Sequence, residues 1–302
     1  MSSAIVSTTN ALTTTTNATV VYQAADGSRF DGFDMLLNAW LHGKSPNTKG
    51  SYQRIAQQFL TFTGCDITKV GLVHIQRFID SLNGKATATI KTYTMVVKSL
   101  LSFCKKLGLI EYNPGVLVQP ETPKTARHDK TIDPVDLKMM FRFENNLRNK
   151  LILEVLYVTG MRVSELTSRT WSDITEKNDG SASLYVFGKG RKERYVMIPA
   201  SLYKQLKLMR GLPDAPLFTS RQGDKAPLTR QQVYNIVKSA SQRIENHSTT
   251  PHRMRHYHAT HALTNGVPLP TLRDSLGHES IQTTSIYLDA CPKDCSSNYL
   301  GY

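Results

Sequence analysis

The chain alternates between stretches where apolar residues recur at three- and four-residue steps and stretches where that rhythm stops. Phe33 to Leu41 is short and apolar. Thr48 to Phe62 places Tyr52, Ile55, Phe59 and Phe62 on one helical stripe, and Leu72 to Leu82 carries Val73, Phe78 and Leu82 in the same way. Ala86 to Leu107 is the longest run, with Ile90, Tyr93, Val97, Leu100, Leu101 and Cys104 on one face and Gly108 placed to end it in a left-handed cap. Four amphipathic helices with these faces pack as a small bundle.

From Tyr112 to Lys130 the periodicity collapses into Asn113-Pro114-Gly115, Pro120, Pro123 and scattered charges, the composition of an exposed linker. A second set of elements follows. Asp133 as N-cap with Pro134 at the first helical position starts a helix through Leu137, Met140 and Phe141. Leu147 to Val158 is a further helix closed by Thr159-Gly160, and another begins near Val163. Ala182 to Phe187 and Glu193 to Ile198 are β-rich runs joined by the Gly-containing turn 188–192, a hairpin. Helices return over Ala200 to Arg210, Thr229 to Arg243 and from Pro251 onward, with breaks at Gly266-Val267-Pro268 and Leu276-Gly277-His278. The expected fold is mainly α with a small β-hairpin: a helical domain at 29–111, a linker at 112–130 and an α+β domain at 131–302. Residues 1–28, rich in Ser, Thr, Asn and Ala, read as a disordered tail.

Composition narrows the partner. A chain of 302 residues with a formal net charge of +13 and a pI near 9.6 attracts a polyanion, because Lys and Arg gain free energy by displacing counterions from phosphates. Nucleic acid is the first candidate and an anionic membrane the second. No apolar run approaches the length that spans a bilayer. The tail lacks the basic start of a secretory signal. The four cysteines, Cys65, Cys104, Cys291 and Cys295, are too few and scattered for a disulfide framework, so a reducing, cytoplasmic compartment is expected. Cys291 and Cys295 have no functional account.

Several residues have phosphate chemistry. His252 and Arg255 stand three apart at a helix start, an imidazole and a cation on one face, although an isolated pair of this kind is more often solvated surface. Arg162 follows the Thr159-Gly160 helix end, so its planar fork projects from a turn and can grip two phosphate oxygens. Lys189 sits at the hairpin tip among Arg191, Lys192 and Arg194, where it reads equally as a catalytic cation or a backbone-touching loop. Tyr287 is one of thirteen tyrosines and by itself reads as packing; flanking cations are what would activate a phenol toward phosphorus.

Taken in order, Thr159-Gly160-Met161-Arg162-Val163-Ser164-Glu165-Leu166, Gly188-Lys189-Gly190-Arg191-Lys192-Glu193-Arg194, His252-Arg253-Met254-Arg255-His256, Leu276-Gly277-His278 and Tyr287 resemble the signature of the tyrosine recombinases, the integrase and Xer-like family. The resemblance covers about Asp133 to Tyr287, and the preceding bundle resembles the family's core-binding domain without a diagnostic motif. It implies that Tyr287 attacks a scissile phosphate, leaving a 3′-phosphotyrosyl bond and a free 5′ hydroxyl. Arg162 and Arg255 would hold the non-bridging oxygens, Lys189 would protonate the departing 5′ oxygen, His252 would assist proton movement at the tyrosine, and His278 would hydrogen-bond the phosphate. No metal or other cofactor is implied. The implied partners are double-stranded DNA and a homo-tetramer, or a hetero-tetramer with a paralogue, on two sites, working through a Holliday junction in integration and excision or in chromosome or plasmid dimer resolution. The segment Arg255 to His261 departs from the family in carrying aromatic and His residues where relatives often have smaller or apolar ones, which bears on packing more than on catalysis.

Three other readings compete. His252, His256, His258 and His261 are dense enough for zinc, but no Glu lies within the cluster and no Cys lies close in sequence. A non-enzymatic DNA-binding protein would need only the basic surface. A type IB-like topoisomerase would share the tyrosine chemistry without pairing two sites. The target sequence is not legible.

Overall fold

The computed structural model describes residues 20–121, 132–188, 193–220, 226–245, 249–277 and 284. The chain divides into two compact units, 1–126 and 127–302.

The first unit is helical. A two-stranded antiparallel ribbon, β1 (Val21–Gln23) and β2 (Arg29–Asp31), precedes α1 (Phe33–Trp40), α2 (Pro46–Thr63), α3 (Leu72–Asp80) and α4 (Thr87–Lys106). Ser45 caps α2 by accepting from the Thr48 amide, and Pro46 occupies its first turn, so the helix starts before the apolar stripe does. Leu36, Ile55, Phe59, Ile75, Phe78, Leu100 and Leu101 form the core of this unit, with Phe59 and Phe78 meeting edge to face at 5.0 Å.

Two differences from the sequence reading appear here. Within the segment read as a tail, Tyr22 points inward from the ribbon, as Phe30 does just beyond it, and the Tyr22 hydroxyl donates to Asp66 Oδ2 at 2.8 Å. Three-residue strands are too short for alternation to register as a pattern, which hides them in the sequence. Likewise the stretch read as the start of the linker is packed: Asn113 caps a 3-10 turn, Pro114–Leu117, through the Gly115 amide, and Asn113, Pro114 and Gly115 are buried. Asn-Pro-Gly marks a turn whether the turn is exposed or docked, and only tertiary packing against α4 decides between them.

The second unit surrounds α6 (Leu147–Thr159), whose Leu151, Ile152, Leu153, Val155 and Leu156 are fully buried. A helix apolar on so many sides must be enclosed; α5 (Pro134–Arg142), α8 (Ala200–Lys207), α9 (Arg230–Gln242) and α10 (Pro251–Thr264) pack against it. Asp133 caps α5 with Pro134 in its first turn, Thr229 and Gln232 form a capping box on α9, and Thr250 caps α10 before Pro251. Strands β4 (Ala182–Phe187) and β5 (Glu193–Ile198) pair antiparallel in the expected register of a hairpin, Val186 opposite Arg194. A third strand, β3 (Ile174–Glu176), extends the sheet in the order β3-β4-β5 and carries no sequence signal of its own. The short helix α7 (Val163–Leu166) follows α6, and α11 (Leu269–Leu276) packs on α10 through Ala259, Leu272 and Leu276.

Candidate active site

Arg162, His252 and Arg255 come together where α6 ends. Gly160 closes α6 in a left-handed conformation at φ 59°, and its own Cβ, were there one, would lie 2.5 Å from Cδ2 of His258. Only glycine fits this turn, for both backbone and steric reasons. The chain then reverses, and Arg162 becomes the N-cap of α7, so its side chain leaves a turn and is 36% exposed.

Arg255 is the opposite case, a cation 3% exposed on the buried side of α10. Its guanidinium donates to the Gly160 carbonyl at 2.7 Å and to the Leu276 carbonyl at 2.7 Å. Both acceptors sit at helix C-termini, where orphaned carbonyls and the negative end of the helix dipole favour a cation. Arg255 thereby joins the segment two residues before Arg162 to the segment two residues before His278. His252, one turn earlier on α10, keeps an exposed face, while partial enclosure and then the charges of Arg255 and Arg162 lower its pKa. Each of these influences favours the neutral ring, the form that can accept a proton. Lys189, His278 and Tyr287 lie outside the described residues.

Two further residues build this corner, and the sequence reading gave neither a role. Glu165, 4% exposed, accepts from the Arg162 backbone amide at 2.7 Å and from Arg162 Nη1 at 2.9 Å. The same carboxylate accepts both terminal nitrogens of Arg194, at 2.8 and 3.1 Å, and Arg194 Nε donates to the Ser275 carbonyl at 2.9 Å. Burial alone would raise the Glu165 pKa, but the hydrogen bonds from Arg194 and the Arg162 amide, with the charge of Arg194, hold it below the usual range. Glu165 stands inside the Thr159 to Leu166 motif and Arg194 inside the basic hairpin run, so the available signal was their charge. Their pairing across 29 residues is visible only in three dimensions.

The histidines beyond the site have structural partners. His258 Nδ1 donates to the Tyr157 carbonyl at 2.8 Å, and His261 bridges the Tyr157 hydroxyl at 2.9 Å and the Ile132 carbonyl at 3.1 Å. His256 lies 3.3 Å from the Thr260 hydroxyl on its own helix. The bonds of His258 and His261 to Tyr157 pack α10 on α6.

The sequence profile of the phage integrase family matches residues 130–293. Tyrosine recombinase XerA of Pyrococcus furiosus is 34% identical over 252 residues, covering 82% of this chain and 85% of that protein. Tyrosine recombinase XerD of Oceanobacillus iheyensis is 32% identical over 283 residues, covering 86% and 93%. Among solved structures, a XerH site-specific recombinase in a post-cleavage complex with its palindromic difH substrate aligns with a TM-score of 0.70 at 20% identity, over 87% of this chain and 83% of that one. A lambda integrase dimer bound to a COC′ core site aligns with a TM-score of 0.69 at 18% identity, over 87% and 79%. The chain belongs to the phage integrase family, and its fold is that of those recombinases. It is a tyrosine recombinase, an enzyme of site-specific recombination; the topoisomerase and simple DNA-binding readings are not favoured.

Proposed function

We propose that the chain cuts and rejoins double-stranded DNA by metal-free transesterification, with Tyr287 as nucleophile. The phenolic oxygen bonds to the scissile phosphorus as the bond to the 5′ oxygen breaks, giving a 3′-phosphotyrosyl adduct and a 5′ hydroxyl. His252 takes the phenolic proton, Lys189 protonates the leaving oxygen, Arg162 and Arg255 neutralise the non-bridging oxygens and His278 hydrogen-bonds one of them. Charge that develops on a pentacoordinate phosphorus is stabilised best by donors fixed beforehand. The observation that carries this reading is the bracing of Arg255 by the Gly160 and Leu276 carbonyls, beside Arg162 and one turn after His252 on α10. Because the phosphotyrosyl bond keeps the energy of the broken diester, rejoining needs no cofactor. Two sites held by a tetramer of this chain, alone or with a paralogue, would exchange strands in pairs through a Holliday junction on cytoplasmic DNA, in integration and excision or in dimer resolution.

The test begins with covalent protein–DNA adducts recovered from cells expressing the chain, whose attached DNA identifies the site. On a nicked duplex bearing that site, Tyr287→Phe is expected to bind as the wild type does and to form no adduct. An adduct that survives the substitution overturns the assignment of Tyr287.

A further inference from the structure

Glu165 poses an electrostatic problem for a site that must attract phosphate. It is a buried carboxylate, hydrogen-bonded through one oxygen to the Arg162 side chain and through the other to the Arg162 amide. Paired with Arg162 alone, it would form a neutral couple, and the charge of Arg162 would be cancelled where it is needed. Arg194 changes that balance. Its fork takes both oxygens of the same carboxylate, it is only 10% exposed, and its third donor is fixed by the Ser275 carbonyl. Gly277 leaves room for it: a Cβ there would lie 3.0 Å from Arg194 Nη1. Bidentate pairing in a site nearly closed to water is the strong form of an ion pair, so the three side chains carry two positive charges and one negative, with the excess on the exposed member, Arg162.

We propose that Arg194 is a positioning residue for recombination: by neutralising Glu165 it keeps the charge of Arg162 available to the scissile phosphate while Glu165 still holds Arg162 in place. The inference rests on the proposed role of Arg162. It separates the two functions of Glu165, orientation of Arg162 and cancellation of its charge, and assigns the suppression of the second to a residue of β5.

The test compares wild type, Arg194→Gln, Arg194→Lys and the double variant Glu165→Gln/Arg194→Gln on the nicked site, reading the single-turnover rate of adduct formation beside DNA affinity and melting temperature. Arg194→Gln leaves Glu165 facing Arg162 alone and is expected to slow adduct formation about 10- to 100-fold, at or below the loss of one preorganised donor, with binding retained. Arg194→Lys keeps the charge without the fork and is expected to recover part of the rate. In the double variant the carboxylate is gone and Arg162 regains its charge, so the rate is expected to rise about tenfold above Arg194→Gln even though one more native hydrogen bond is lost. A merely structural Arg194 predicts the reverse order, the double variant slower and less stable than the single, and that order overturns the proposal. A second readout uses a scissile methylphosphonate, which lacks one non-bridging charge: Arg194→Gln is expected to be nearly as fast on it as wild type, and an undiminished defect there also overturns the proposal. If the wild type forms no adduct on its mapped site, the underlying reading fails and the inference falls with it; if the wild type reacts and Arg194→Gln reacts equally fast, only the inference fails.

Discussion

His252 is enclosed in part and faces two guanidinium groups, and each influence disfavours its cationic form. A proton acceptor must be neutral to work, so acid should inhibit adduct formation only below the ordinary imidazole range of about 6.5, with the midpoint displaced toward lower pH. We expect a flat rate from about pH 8 to 6.5 followed by a decline, and His252→Gln should remove the acid limb while slowing the reaction by about 10²-fold. A midpoint above 6.5 would mean that another group controls the step. His258 and His261 are also held below the ordinary value, chiefly by burial. For all three the unfolded chain binds protons more readily than the folded one, so stability is constant above the unfolded pKa and falls as pH drops from it toward the folded pKa. The melting temperature should therefore decline below about pH 6.5, and His258→Phe should flatten that decline; an unchanged slope would show that His258 does not contribute. At this scale the sequence offered Arg162, His252 and Arg255 as candidates because their spacing is local or motif-bound, and the fold brings the three together. It did not carry Glu165 with Arg194, whose meaning lies in one carboxylate shared between elements.

Among elements, the end of α6 bears the most constraint. Gly160 supplies a left-handed turn, accepts the Arg255 guanidinium and lies against the His258 ring. Gly160→Ala adds a strained φ and a contact no real Cβ makes, so we expect a loss of about 2 kcal/mol or more, read by denaturant unfolding of the full chain. Adduct formation should fall further than stability does, since the turn sets Arg162 and Arg255 together. A variant of wild-type stability and rate would remove the turn from the account of the site. The starts of α5 and α10 were readable because Asp133-Pro134 and Pro251 are chemical, local signals, whereas α2 was read from its apolar stripe and its Ser45-Pro46 start lay ahead of that stripe. Strands β1, β2 and β3, three residues each, were not. Their stability comes from what Tyr22, Phe30 and the neighbouring strand meet after folding, and propensity over three residues is weaker than that packing. The Tyr22 to Asp66 bond is such a case: Tyr22→Phe should cost about 1 kcal/mol in the same unfolding measurement, although neither residue is linked by any sequence pattern.

For the whole molecule the governing quantity is the net charge of +13. A surplus of this size gains free energy at a polyanion by displacing its counterions. Each phosphate neutralised releases condensed counterions, and the affinity for duplex DNA should fall by about 0.9 log unit per log unit of salt for each one. A footprint of six to ten phosphates would thus lower affinity on the order of 10³- to 10⁵-fold between 50 and 200 mM salt. Binding titrations at four or more salt concentrations give the slope directly. Tyr287→Phe should leave it unchanged, because a phenol carries no charge at neutral pH. Arg194→Gln should reduce it by up to about one phosphate, because Glu165, no longer matched by Arg194 at 2.8 Å, then cancels the charge of Arg162. Arg162→Gln should reduce the slope by about one phosphate. A slope reduced by Arg162→Gln but unchanged by Arg194→Gln would mean that Glu165 does not cancel the charge of Arg162, and the division of labour between the two arginines would have to be redrawn.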